Sequence, residues 1–167
     1  MDTLNRPELE ADTVQVRRLR PADLETVIAL DARNTGRRRE EFFRVKLEQA
    51  IAHAELDISL AADVDGQLVG YLIARVYYGE YGSMESTAML DSLGVHPDFR
   101  GRGVGHELVR QLRTNLLGLG VRTLSTVGDW NGQHMLTFFQ REGFRPAPRI
   151  CLDMDLEEAR RTEHTIA

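Results

Sequence analysis

The sequence predicts one α/β domain with a mixed sheet, and three observations carry that expectation. Strand-like runs alternate with amphipathic helical runs along the chain, a strand runs through glycines straight into a helix over residues 90–105, and no linker, repeat or low-complexity block divides the 167 residues. At roughly 100–200 residues per domain, that length is one domain with enough chain to bury a core without metal or disulfide.

The elements follow in order. Val14 and Val16 alternate with Gln15 and Arg17 as a short strand, and Pro21 opens a helix with Leu24, Val27 and Ile28 on one face. Asn34-Thr35-Gly36 breaks it, and Arg37 to Ala52 reads as a second helix with Phe43, Leu47, Ala50 and Ile51 on one side. Its basic run, Arg37 to Arg39, reads as a solvated face. Strands are expected at Asp57–Val64 and Gln67–Tyr78, joined by the two-residue hairpin signal Asp65-Gly66. Ala88 to Val95 reads as a buried strand, with Met89, Asp91, Leu93 and Val95 on one face and Leu90, Ser92 and Gly94 on the other. Val104 to Leu117 is a helix with Val104, Leu108, Leu112 and Leu116 spaced by four. A strand at Val121–Val127, a helix at Gly132–Glu142 closed by Gly143, and a last strand at Ile150–Leu156 complete a core of about 14–156, with a polar tail over 157–167.

Composition excludes several classes. Hydrophobic residues at 42% and charged residues at 28% are too apolar a mixture for disorder. The net charge of −5 removes the broad positive field that nucleic-acid binding uses. Cys151 is the only cysteine, so one chain can form neither a disulfide nor a thiolate zinc site, and in the last strand it reads as core; His96 reads as part of a turn and His134 as helix surface, and neither has a companion at metal-ligand spacing. Met1 to Glu10 carries three acids and no apolar run, and Arg75 interrupts the most apolar segment, Leu68–Tyr78. The expectation is a cytoplasmic protein with neither membrane nor nucleic-acid partner; a homodimer is compatible with the sequence.

The chemistry concentrates in Leu90-Asp91-Ser92-Leu93-Gly94-Val95-His96-Pro97-Asp98-Phe99-Arg100-Gly101-Arg102-Gly103-Val104-Gly105. Glycines between a strand and a helix let backbone N–H groups turn toward an anion, and the helix start adds about half a positive charge at the same point. Arg100 and Arg102 can add charge-assisted bonds. A dinucleotide fingerprint fails in both registers, because His106 and Leu108 stand where glycine is required, and no P-loop Gly-Lys-Ser/Thr is present.

What matches is Arg-x-x-Gly-x-Gly at Arg100, Gly103 and Gly105 after Val95-His96-Pro97. Here the sequence resembles the GNAT superfamily of acetyl-CoA-dependent N-acetyltransferases, and a second block agrees: Asn131, then Phe138-Phe139-Gln140-Arg141-Glu142-Gly143-Phe144. The resemblance spans about Val14 to Leu156 and implies a mixed, mostly antiparallel sheet flanked by about four helices. It implies that acetyl-CoA is the acetyl donor, with its pyrophosphate on the main chain of Arg100, Gly101, Arg102, Gly103, Val104 and Gly105. The pantetheine arm would pair with Leu93, Gly94 and Val95 like an added strand, and Asn131 would reach its thiol end or else cap the next helix. The acceptor would be a primary amine, on a small molecule or on a protein N-terminus or lysine.

An alkylamine must lose a proton to attack, and the family often uses a carboxylate on the central strand. Asp91 occupies such a place, as general base or as a buried acid held by backbone or arginine bonds. Two departures stand out. The family's aromatic acid before Gly-Phe is commonly tyrosine, and here it is Phe139, which has no proton to give and would serve as an apolar wall beside the thiol. Ribosomal-protein N-terminal acetyltransferases tend to place a glutamate late in the fifth strand, where the nearest residue here is Thr126. Tyr77, Tyr78 and Tyr81 are candidates to line the acceptor side or replace the acid. The missing tyrosine keeps a non-catalytic acyl-CoA-binding module as the alternative.

Overall fold

The computed structural model describes residues 14–52, 58–78, 85–128, 132–158 and 160. Five strands stand side by side in chain order: β1 (Gln15–Arg18), β2 (Leu60–Val64), β3 (Gln67–Tyr78), β4 (Ser86–Val95) and β5 (Thr123–Thr126). All neighbours are antiparallel except β4 and β5, whose parallel pairing requires a crossover. That crossover is α3 (Val104–Gly118); α1 (Leu24–Thr35) and α2 (Glu40–Ala52) connect β1 to β2, and α4 (Gln133–Arg141) follows β5.

Both faces of the sheet are covered, which explains why β3 reads as a near-continuous apolar run. One core lies under α3, where Val104, Leu108, Leu112 and Leu116 meet Val69, Leu72, Ala88 and Leu90. The other lies under α1 and α2, where Val27, Ile28, Phe43 and Leu47 meet Ala61, Tyr71 and Ile73. The expected hairpin is present: Asp65 and Gly66 both adopt positive φ, at 50° and 77°. Helix α2 begins at Glu40, three residues later than its pattern predicts. The basic run ahead of it is engaged in ion pairs, with Arg38 on Glu25 at 3.0 Å and Arg39 on Asp31 at 2.6 Å.

Two expectations are corrected. The strand β4 contains a bulge, since Leu90 faces Ala74 and Ser92 faces Ile73, leaving Asp91 as an extra residue. The alternation therefore changes phase. Ala88, Leu90, Leu93 and Val95 pack toward α3, while Asp91 and Ser92 both turn to the α1–α2 side. Residues 150–156 form no sheet strand, and Ile150 and Leu152 are 86% and 87% exposed. Cys151 is exposed with them rather than buried in the core. The reason lies in the approach: the chain leaves α4 through Pro146 and Pro148, which cannot donate to a ladder and hold the backbone extended away from the sheet.

Arg17 on β1 ties the sheet to the start of α1. Its guanidinium bonds Asp23 at 2.7 and 2.9 Å and Asp63 on β2 at 2.7 Å, and all three side chains are largely buried. Burial pushes the Asp23 carboxyl up, but the Arg17 bond and the Arg20 N–H hold it below its ordinary value. Arg17→Met should therefore cost about 1–3 kcal/mol, because it leaves two partly buried carboxylates unpaired. A depressed carboxylate stabilises the fold above its unfolded pKa of roughly 3.9 and ceases to do so as pH falls through the folded value. Thermal melts should show the gap between wild type and variant full near neutrality and narrowing below about pH 4.

Candidate active site

The glycine turn has the geometry of an anion cradle. After Val95, a single 3-10 turn at Pro97–Phe99 is capped by His96, whose Nδ1 accepts from the Asp98 N–H. Gly101 and Gly103 then take positive φ, 71° and 82°, conformations that side chains rarely adopt. Gly103 is the N-cap of α3 with no side chain bonded to its free N–H groups, and a Cβ there would meet nothing within 4 Å. Open space, unpaired donors and a helix start thus face the same volume. Arg100 fastens the turn to α1 through Asn34, and Asn34 Nδ2 donates to the Val95 carbonyl at 3.2 Å. Arg102 stacks on Phe99, 5.3 Å from the ring centre.

Next to the turn, β4 and β5 part company. Their pairing runs from Thr87–Thr123 to Leu90–Thr126 and stops there, where the Thr126 hydroxyl donates to the Leu90 carbonyl at 3.0 Å. From Asp91 to Val95 that side of β4 has no strand beside it among the described residues. A cleft of about 760 Å³ opens along it, from Gly101 and Gly103 past Leu93, Gly94 and Val95 to Asp31, Tyr71 and Ser92, with Phe138 and Arg141 of α4 on the opposite wall. Gly94 is dictated by the ring of Tyr71, because a Cβ there would lie 2.5 Å from Tyr71 Cε1.

The floor of the cleft is a hydrogen-bonded chain of buried polar groups. Asp31, 2% exposed, receives Arg39 at 2.9 and 2.6 Å and the Tyr71 hydroxyl at 3.2 Å, and Tyr71 Oη lies 3.2 Å from Ser92 Oγ. Burial raises the Tyr71 hydroxyl well above its usual range; the Ser92 bond pulls it back and the Asp31 charge adds to the rise. Tyr71 therefore keeps its proton. An ionised carboxylate only accepts, so that proton points at Asp31, and the Ser92 hydroxyl must donate to Tyr71. Ser92 Oγ, which lines the cleft, then keeps its lone pairs as acceptors.

Among the residues expected from sequence, Arg100, Gly101, Gly103, Val104, Gly105, Leu93, Gly94 and Val95 meet in this cleft. Asp91 is placed differently. Its carboxylate is 9% exposed and held by Arg75 at 2.7 and 3.0 Å and Lys46 at 3.2 Å, on the α2 side and outside the cleft lining. Asp91 is thus a buried acid in ion pairs with an arginine and a lysine. Phe139 is also corrected: it is 7% exposed, packed against Phe138 and Phe144 in the core, while its neighbour Phe138 forms the cleft wall. One step along a helix turns a side chain by about 100°, so only one of two adjacent aromatics can face the cleft. Tyr78 is 66% exposed at the far end of β3, away from the cleft lining, and Tyr77 stacks with Arg75 at 4.9 Å. Tyr81 and Asn131 lie outside the described residues.

Asp31, Asn34, Tyr71, Ser92 and Phe138 were not anticipated. Asp31 left a sequence signal, an acid on the apolar stripe of Leu24, Val27 and Ile28. Asn34, Tyr71 and Ser92 come together only where α1 lies across β3 and β4, and Phe138 enters the cleft from α4. No metal-binding cluster occurs among the described residues, and no helix among them is long and apolar enough to cross a membrane.

The glycine turn, with open backbone donors at the start of α3, thus lies beside an edge of β4 that no described strand covers. Residues 24–144 match the model of the Acetyltransferase (GNAT) family, and the chain belongs to that family of acyltransferase enzymes. A curated acetyltransferase of Pectobacterium atrosepticum is 29% identical over 147 residues, covering 88% of this chain and 99% of its own. Among solved structures, the fold is similar to an aminoglycoside N-acetyltransferase, AAC(6')-Iy, in complex with CoA, with a TM-score of 0.72 at 19% identity over 86% of this chain and 95% of that one. It is also similar to a ribosomal-protein-alanine N-acetyltransferase from Brucella melitensis, with a TM-score of 0.68 at 20% identity over 86% of this chain and 99% of that one.

The placement of Asp91 yields a direct test. Asp91→Asn removes the anion between Arg75 and Lys46 and should cost about 1–3 kcal/mol, a fall in melting temperature of roughly 2–10 °C. Turnover at a temperature where the variant is folded should stay within about threefold of wild type, whereas loss of a general base would lower it by roughly a hundredfold or more. Calorimetry and initial rates on the same preparation read both quantities.

Proposed function

We propose that the protein is an N-acetyltransferase that moves an acetyl group from acetyl-CoA to a primary amine of a small molecule or of a protein N-terminus or lysine. The observation that carries this reading is the continuity of the cleft. One volume joins a helix-start anion turn, the edge of β4 from Ser92 to Val95, which has no neighbouring strand among the described residues, and a polar floor. These suit, in turn, a pyrophosphate, an arm with two amides, and an amine. The complex of AAC(6')-Iy with CoA supports the same donor, and the names of both structural neighbours support an amino-group acceptor.

In this reading the N–H groups from Gly101 to His106 bind the pyrophosphate, and Arg100, fixed by Asn34, adds charge. The main chain of Leu93 to Val95 pairs with the pantetheine amides and leaves an N–H for the thioester carbonyl. When bound, acetyl-CoA supplies an activated acyl carbon and a thiol leaving group. Ser92 Oγ, with its own proton given to Tyr71, accepts an N–H of the incoming amine and orients the nitrogen lone pair. The acids of the cleft lining are engaged, Asp31 by Arg39 and Tyr71 and Glu142 by His106, and Asp91 outside it is held by Arg75 and Lys46. The ammonium proton accordingly leaves to water through the open cleft before attack; the neutral nitrogen then bonds the acetyl carbon, the C–S bond breaks, and the second nitrogen proton leaves to the departing thiolate, whose pKa near 8.5 lets it go without a strong acid.

Release of free thiol from acetyl-CoA, followed over a panel of amines and peptides, tests the proposal. Amine-dependent release is expected; acetyl-CoA binding without release for any acceptor would instead identify a binding module. With an active alkylamine, log kcat/KM should rise with unit slope from about pH 6 to 9, because the neutral fraction grows tenfold per unit below a pKa of roughly 10.4. A plateau well below that value would reveal a protein base. Ser92→Ala should lower kcat/KM for the amine about tenfold and leave acetyl-CoA affinity unchanged.

A further inference from the structure

Arg39 lines the cleft at its Asp31–Tyr71–Ser92 end, and its side chain is 39% exposed. The buried Asp31 carboxylate takes only one edge of the guanidinium: Nε donates to Oδ2 at 2.9 Å and Nη2 to Oδ1 at 2.6 Å. Nη1 makes no hydrogen bond among the described residues. The fork formed by Nη1 and the outer hydrogen of Nη2 is therefore unused, and such a planar fork matches the two oxygens of a carboxylate. The group is also held in advance, since the ring centres of Phe42 and Phe43 lie 5.0 and 5.4 Å from its Cζ. A cation fixed in this way loses little freedom when it takes a ligand.

The surrounding charges point the same way. On the α1–α2 side of the sheet, Asp31 and Asp91 are paired with Arg39, Lys46 and Arg75, three cations for two acids. A second ammonium group on an acceptor would find both carboxylates already spent, whereas an anionic group offsets the excess cation. Arg75 and Lys46 stand outside the cleft lining, so Arg39 is the cation that this end of the cleft offers. The span is short as well: Tyr71 Oη lies 3.2 Å from Asp31 Oδ1 and 3.2 Å from Ser92 Oγ, so Asp31 and Tyr71 alone bridge the Arg39 guanidinium to Ser92.

We propose that the acceptor is a small amino carboxylate, with its nitrogen at Ser92 Oγ and its carboxylate on the free fork of Arg39. This rests on the acetyltransferase reading of the cleft and narrows it to one class of amine. Asp31 is then a positioning residue, which fixes the Arg39 fork from behind.

Two measurements separate the subsite from the transfer. In thiol-release assays with acetyl-CoA, amino acids of increasing amine-to-carboxylate spacing are each compared with the carboxamide and the diamine of the same length. After correction for the neutral-amine fraction, the best amino acid should exceed both in kcat/KM at least about tenfold, as a charge-assisted bidentate contact warrants. Arg39→Lys keeps a cation on Asp31 but has no fork, so the preference should shrink to within about threefold, through KM, with the carboxamide rate little changed. Arg39→Gln with Asp31→Asn removes both charges together and should give the same loss should the single variant fold poorly. Independently of turnover, calorimetry on the CoA-loaded protein should show the N-acetyl amino acid binding at least about tenfold more tightly than its carboxamide, and Arg39→Lys should abolish the difference. Equal rates for acid, amide and diamine, or a preference that survives both variants, overturn the proposal and leave the acetyltransferase reading standing. Carboxylate-selective, Arg39-dependent binding without thiol release from any amine upholds the anion subsite and overturns the transferase reading instead.

Discussion

One extra residue in β4 organises most of what surrounds it. Asp91 has no partner on β3, and this single bulge moves Ser92 to the face that Leu93 would otherwise occupy. Leu90 and Leu93 then both reach the core under α3, while two polar residues in succession face α1 and α2. β5 ends at Thr126 opposite Leu90, next to the bulge, so among the described residues the free edge of the cleft begins at that point. A charged residue at the bulge must be held, and Arg75 from β3 with Lys46 from α2 does so. The ion pairs therefore belong to the support of the bulge, and the Ser92 hydroxyl, one position on, belongs to the cleft beside it.

Sequence periodicity carried the reading wherever a local rule sufficed. Asp65-Gly66 has one economical conformation, the four-residue spacing of Val104 to Leu116 has one buried face, and glycines before a helix start leave donors open. It failed where the answer depends on a partner. Alternation along β4 presumes a regular ladder, and nothing in Leu-Asp-Ser-Leu announces a bulge. The pair Phe138-Phe139 offers two rings, and the position of α4 against β5 and α3 decides which is core. Asp31 stands out as an acid on an apolar stripe, but its partners Tyr71 and Arg39 are 40 and 8 positions away along the chain, and Ser92 joins the network only through Tyr71. Ile150 to Leu156 has a strand's pattern without a strand's partner.

Net charge proved a poor guide to the site. The chain is acidic overall at −5, yet Arg100 and Arg141 line the end of the cleft where the glycine turn lies, and Arg102 stands beside it on Phe99. Screening over roughly 8–10 Å makes such local groupings matter more than the sum. At the other end, Asp31 is paired with Arg39, so the floor brings a buried carboxylate close to the cleft without a net negative charge.

That neutrality has a chemical consequence. An unpaired Asp31 would hold an acceptor as its ammonium ion, the form that cannot attack, and would raise the amine's pKa further. Paired, it contributes direction instead of charge: its acceptor-only oxygens orient the Tyr71 proton, which in turn orients the Ser92 proton, leaving a lone pair and not a proton toward the cleft. A hydroxyl presented this way binds the N–H of a neutral amine without favouring its protonated form by more than a single hydrogen bond. The buried ion pair, which by itself would do little for stability, is thus best understood as the fixed end of a hydrogen-bond chain whose free end selects the reactive form of the nucleophile.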